Sequence, residues 1–219
     1  MNRCDWNTLH ALTRGQGPGE PPPAMGVAFE ASFGDAPPDT KRFAMQPADD
    51  ARWWVLALCP RQAILSVHAL ADGEALPEGR VPLLALPVDT QQPLAEAWRQ
   101  VDGQALQQRY QDAVHAASAS LGTDALGMAG RRLIDVRRRA VVLQAGDRIP
   151  GASWRDPAQV AAWSDELVPG EPLAVYCAHG HELGRAVALR LAAAGHDVRF
   201  LEGGIEAWRD QGPPVECLR

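Results

Sequence analysis

No run in this chain stays apolar for the roughly 18 to 20 residues that a membrane span needs, and no charged segment followed by an apolar one opens it as an export signal would. A basic field is missing too: 21 Lys and Arg stand against 27 Asp and Glu, a formal charge of -6. Neither nucleic acid nor an acidic membrane surface is therefore an expected partner. The four cysteines, Cys4, Cys59, Cys177 and Cys217, lack the short regular spacing of a disulfide framework. Reduced thiols in a soluble cytoplasmic protein are the expectation. Apolar residues, by contrast, are not lacking: at 46% of 219 residues they can build one large domain or two small ones.

The N-terminal 50 residues are loosely patterned, with Pro and Gly concentrated at 15–23 and 36–39. These residues break helices and central strands, so the segment reads as an irregular arm, docked at most by Val27, Phe29, Phe33 and Phe43. Short apolar runs at 53–58, 63–70 and 81–88, separated by turn residues, read as three strands. Helical patterns follow at 90–98 and through Leu106, Tyr110, Ala113 and Ala117 to about residue 120. Residues 51–122 thus form a small α+β domain of no evident function. Gly122 to Gly130 reads as a linker, and a second domain spans 130–219.

In that second domain strands and helices alternate: strand 133–136, helix 156–167, strand 173–176, helix 182–194, strand 197–201, then a terminal helix opened by Gly203 and Gly204. Alternation of this kind predicts an α/β fold, a parallel sheet with helices on both faces. Active sites of such sheets lie at the carboxyl ends of the strands. Cys177 stands at one such end, where LAVY (173–176) becomes the helix opened by Glu182, and Asp135 and Arg137 stand at another. A helix N-terminus presents unpaired N–H groups and a positive dipole end, so a thiolate held there is expected to have a lowered pKa and to be nucleophilic.

Four separated blocks now stand out: LIDVR (133–137), IPGA (149–152), VYCAHG (175–180) and FLEGGIEAW (200–208). In this order and spacing they resemble the rhodanese domain family over residues 131–216. The resemblance is closest to bacterial modules whose loop reads C-x-H-G-H-E-x-G-R, some similar to proteins associated with chromate resistance. It implies a rhodanese-like parallel sheet and a sulfurtransferase activity. Cys177 would carry sulfane sulfur as a persulfide, taken from thiosulfate or a persulfide donor, small or protein-borne, and passed to a thiol or cyanide. Ala178, His179, Gly180, His181, Glu182, Leu183, Gly184 and Arg185 would form the substrate-binding loop, supported by Asp135, Arg137, Gly203 and Gly204. No cofactor is implied. Three departures from the family pattern are visible. Ala178 stands where many active members carry an arginine, which weakens the case for thiosulfate as donor. The loop runs about one residue longer than in the simplest members, with Gly184 and Arg185 where others carry a small hydroxyl residue. Arg148 replaces the usual histidine before the IPGA block.

The alternatives follow from the same residues. His179 and His181 alternate with Cys177, but no second cluster completes a tetrahedron, so no metal is expected and the imidazoles would line the mouth of the site. Arg185 either reaches back over the loop to bind the anion or pairs with Glu182 three residues earlier, with the pair favoured. Asp135 and Arg137 would brace the strand end, Gly203 and Gly204 would make a tight turn, and Trp154, Trp163 and Trp208 would pack. Cys59 is followed by Pro60, which has no N–H for an anion, and reads as structural. Cys217 is expected to be exposed. A phosphatase or arsenate reductase on the same scaffold needs Cys-x5-Arg, whereas the sixth residue after Cys177 is Leu183. A non-catalytic module that senses sulfane sulfur or an oxyanion, linked to a chromate or stress response, is the reading from another class.

Overall fold

Asp5 starts the first helix by accepting a hydrogen bond from the Thr8 N–H at 3.2 Å, and Trp6, Leu9 and Thr13 then fall on one buried face. The structure is a computed structural model and describes residues 5–15, 25–34, 50–88 and 94–218. It divides into two compact units, residues 1–60 with 64–113 and residues 61–63 with 114–219.

The first unit contains α1 (Trp6–Thr13), α2 (Gly26–Phe33), β1 (Trp53–Cys59), β2 (Ile64–Leu70), β3 (Val81–Pro87), α3 (Leu94–Trp98) and most of α4 (Gly103–Ser118). Its three strands form an antiparallel sheet in the order β2-β1-β3. α1 packs on β3 and α2 on β2, with Trp6 and Leu9 clustered against Trp53, Val55, Leu70 and Ala85. The irregular arm expected over residues 1–50 is thus corrected in its described parts. Helices of eight residues carry too little periodicity to read from sequence and depend on tertiary packing for their stability. The Pro- and Gly-rich stretches that argued for irregularity lie largely in 16–24 and 35–49, which with Phe43 and residues 89–93 are outside the described residues.

The second unit continues with β4 (Gly122–Thr123), β5 (Arg132–Asp135), α5 (Arg139–Ala145), β6 (Asp147–Arg148), β7 (Ser153–Trp154), α6 (Val160–Trp163), β8 (Leu173–Tyr176), α7 (Glu182–Ala193), β9 (Val198–Leu201), α8 (Gly204–Asp210) and β10 (Glu216–Cys217). A five-stranded sheet runs β4-β9-β8-β5-β7, every neighbouring pair parallel. β8 lies at its centre, and alternate residues serve opposite faces. Leu173 and Val175 join Ile134, Trp163, Val187, Leu191 and Phe200, while Ala174 and Tyr176 join Met128, Ile149, Leu201 and Ile205. Both faces are therefore covered, as a parallel sheet requires.

Two expectations change here. Gly122 to Gly130 is no linker: Gly122 and Thr123 pair with Phe200 and Leu201 at the sheet edge, and Met128 is buried. Two-residue strands leave no alternation to read. The helix expected over 156–167 is a four-residue α6 between two 3-10 turns, Pro157–Gln159 and Ser164–Glu166. Among the described residues no helix is long and apolar enough to cross a membrane. Met128→Ala is expected to destabilise the second unit by about 2–5 kcal/mol, seen as faster amide hydrogen exchange in β8. Exchange unchanged there would return residues 122–130 to the status of a linker.

Candidate active site

β8 ends at Tyr176, and the chain turns at once so that Cys177, 4% exposed, sits beneath the first turn of α7. The backbone N–H groups of His179, Gly180, His181 and Gly184 all donate to its sulfur. Such convergence needs a positive φ, which Gly180 supplies at 67°. A Cβ at Gly180 would also fall on the backbone nitrogen of Gly203, so no other residue fits. Gly184 brings the helix itself close, because a Cβ there would lie 3.3 Å from the Cys177 Sγ.

The electrostatic outcome corrects the expectation of a lowered thiol pKa. Burial pushes the Cys177 thiol up, and it outweighs the four N–H groups that pull the other way. Sequence reasoning counted the donors and the helix end but not the depth of the sulfur.

The loop is clamped from the far side by α8. Ile205 N–H donates to the Cys177 carbonyl at 3.0 Å and Glu206 N–H to the Ala178 carbonyl at 3.1 Å. Gly203 and Gly204, with φ of 70° and 61°, bring that helix end into place, and a Cβ on Gly204 would overlap those carbonyl oxygens. The Glu206 carboxylate then accepts from His179 Nδ1 at 2.8 Å, an exposed contact. His181 stacks obliquely on His179 with centroids 5.5 Å apart. Among the described residues no group of three or more His, Cys, Asp or Glu could hold a metal ion.

Arg185 reaches back over the loop, but to the loop's own backbone. Its Nε donates to the Gly180 carbonyl at 3.2 Å and its Nη1 to Ser118 Oγ at 3.3 Å, while the guanidinium lies 4.4 Å from the Phe200 ring centroid. Leu183 turns to the core, and Glu182 is the half-buried first residue of α7.

Asp135 and Arg137 sit beside the site as a buried brace, each 1% exposed at the side chain. Asp135 accepts from Arg137 Nε at 3.0 Å and Nη2 at 2.6 Å. Arg137 extends the chain to Asp147, and Asp147 pairs with Arg209 at 2.7 Å. Burial opposes charge on Asp147, but Arg209 and Arg137 prevail and hold its carboxyl below the usual range. Tyr176, the residue before the cysteine, faces the same group. Burial and the Asp135 charge push its hydroxyl far up, so it stays protonated while accepting from Ile149 N–H at 3.2 Å.

A family model for the rhodanese-like domain matches residues 117–211. This chain carries a rhodanese-like domain. The chain is similar to the rhodanese-3-like domain of an Anabaena sp. protein, at 30% identity over 41% of this chain and 94% of that one, with a TM-score of 0.37. It is also similar to a rhodanese-related protein from Thermoplasma volcanium, at 23% identity over 43% and 96% of the two chains, with a TM-score of 0.40. A third similar structure, a Rhodopseudomonas palustris protein described as a possible tyrosine phosphatase, shares 22% identity over 48% and 92%, with a TM-score of 0.41. No curated protein matches.

The rhodanese-like domain draws on residues the sequence reading left out. Ser118, Phe200 and the Glu206 side chain each touch the loop or its clamp, yet none carries a signal of its own: a serine ending a helix, a core aromatic and a surface glutamate. Trp154 donates to the Arg137 carbonyl at 2.8 Å and Trp163 to that of Asp156 at 2.8 Å, so both fix loops at the edge of the domain. Cys217 is exposed in β10, paired with Asp147 of β6. Cys59 lies in the first unit.

Two outcomes follow. Asp135→Asn leaves the Arg137 charge buried with a poorer partner, and a loss of about 3 kcal/mol is expected, read as a lowered thermal midpoint with Cys177 still present and unmodified. Site-resolved alkylation of Cys177 is expected to rise with pH through a midpoint above the ordinary cysteine value of about 8.5. The sign is fixed by burial: a raised pKa leaves less thiolate at neutral pH, so the rate gains more on going alkaline. A midpoint below that value would mean that the four N–H groups win.

Proposed function

We propose that the rhodanese-like domain is a sulfurtransferase in which Cys177 carries sulfane sulfur as a persulfide. The observation that supports this reading is the convergence of four backbone N–H groups on one sulfur at the carboxyl end of the central strand. The Cys177 thiolate, its proton lost to solvent or the incoming donor, attacks the outer sulfur of the donor. The donor S–S bond breaks, and its electron pair leaves with sulfite or a thiolate. A thiol or cyanide acceptor then attacks the terminal sulfur of the persulfide, the Sγ–S bond breaks, and the pair returns to Cys177. Negative charge resides on sulfur at each stage, where the N–H groups and the α7 N-terminus act on it. A small or protein-borne persulfide donor suits the site better than thiosulfate, since Ala178 has no cation and Arg185 is committed to the loop backbone. Such chemistry belongs in a reducing cytoplasm.

Phosphoryl transfer is disfavoured by the same geometry, because Arg185, the guanidinium at the loop, is engaged with the Gly180 carbonyl and Ser118. The sensing reading gains from one observation, the burial that pushes the Cys177 thiol up. Turnover separates the two. On exposure to a persulfide donor the protein is expected to gain the mass of one sulfur, and Cys177→Ser to gain none. Multiple turnovers to cyanide or a thiol identify an enzyme, and a single loading without transfer identifies a sensor. Loading that survives in Cys177→Ser would overturn both.

A further inference from the structure

A peptide unit is planar and trans, so its C=O and its N–H point in opposite directions. Each N–H aimed at the Cys177 sulfur therefore throws the preceding carbonyl outward, and what holds that carbonyl holds the donor. For the Ala178–His179 peptide the holder is the Glu206 N–H at the start of α8, 3.1 Å from the Ala178 oxygen. For the Gly184 donor it is the first turn of α7. The Gly180–His181 peptide differs, because its carbonyl is taken by a side chain, Arg185 Nε at 3.2 Å. This peptide is also the easiest to turn over. It begins at a glycine with φ of 67°, and glycine has no Cβ to resist a flip.

We infer that Arg185 is a positioning residue: its Nε–H locks the Gly180–His181 peptide so that the His181 N–H, and not the Gly180 carbonyl, faces the reacting sulfur. The inference rests on the sulfurtransferase reading for its consequence in turnover, but its geometric content concerns the Cys177 thiol alone. Two contacts fix the guanidinium for this task. Phe200 supports it from below at 4.4 Å, and Ser118 Oγ takes Nη1 at 3.3 Å. Without the lock, a flipped peptide replaces a donor with a carbonyl oxygen, whose partial negative charge opposes both thiolate and persulfide.

The atom that matters is Nε, and this separates positioning from simple charge. In lysine a methylene takes the place of Nε, so Arg185→Lys keeps the cation and loses the bond. In glutamine the amide nitrogen lies the same number of bonds from Cα as Nε, so Arg185→Gln loses the cation and keeps a donor. A residue that bound an anionic donor by its charge would tolerate Lys better than Gln. A residue that locks the peptide ranks them the other way.

The test measures two quantities in the full chain, both resolved at Cys177: the pH midpoint of iodoacetamide alkylation, and the rate of sulfur loading from a small persulfide. For Arg185→Lys the midpoint is expected to move up and loading to fall about 30- to 100-fold, the range set by displacing one donor by about 1 Å. For Arg185→Gln the midpoint is expected to move less and loading to fall less than about 10-fold, by the same reasoning on a retained donor. Lys equal to or better than Gln in both quantities overturns the inference. If Arg185→Gln does not fold, Arg185→Lys decides alone, with a raised midpoint in support and an unchanged midpoint against. Should the parent protein load no sulfur at all, the functional reading fails, while the alkylation midpoints still decide the role of Arg185.

Discussion

Turning backbone N–H groups inward onto a buried sulfur forces carbonyl oxygens outward, and the whole site is organised by the need to satisfy them. Left alone, each such carbonyl would seek a donor by rotating its peptide, which would bring oxygen toward the sulfur. For the Ala178 and Gly180 oxygens the fold supplies such donors from other elements. α8 contributes the N–H groups of Ile205 and Glu206 to the Cys177 and Ala178 oxygens, and α7 returns the Arg185 side chain to that of Gly180. This explains the two glycines that open α8: only without a Cβ at Gly204 can that helix end come within hydrogen-bond distance of the loop, while Gly203 makes the positive-φ turn where a Cβ would strike Ala207. The glycine pair serves the active loop even though it lies more than twenty residues after Cys177 in the chain.

Burial and hydrogen bonding act against one another at the thiol. A helix end and four donors favour the thiolate, yet at 4% exposure the loss of water favours the neutral form more strongly. Desolvation and the N–H groups both act on Sγ itself, so the arrangement disfavours charge on the resting thiol while keeping donors beside it.

Much of this was legible in the sequence, and what was not has a physical cause in each case. The strand and helix around Cys177 were readable because LAVY is an unbroken apolar run, and because the stripe of α7 repeats over three turns. β1 to β3 were readable for the same reason. α1 and α2 were not, since two turns of helix give one or two repeats of a period, and β4 was not, since two residues give none. Within the site, Cys177 and the glycines announced themselves by residue type. Glu206 and Ser118 did not, because what they do depends on where α8 and the end of α4 come to lie. The direction of the Cys177 pKa was missed for a related reason: donors can be counted along a loop, but depth is a property of the folded unit.

The brace beneath the loop shows how a costly interaction is made to serve position. Taking Arg137 out of water is unfavourable, and its pairing with Asp135 and Asp147 does little more than offset that loss. What the chain of charges adds is geometry. Asp135 ends β5, Asp147 begins β6, and Arg209 lies in the last turn of α8, so the three charged links tie a central strand, an outer strand and the clamping helix to one another. Tyr176 joins the same group through Asp135 and fixes the residue immediately before Cys177. An apolar replacement of equal volume could fill the space, but it would accept many orientations of α8. Directional bonds between fixed partners accept few, and the placement of the Ile205 and Glu206 N–H groups on the loop carbonyls depends on that restriction.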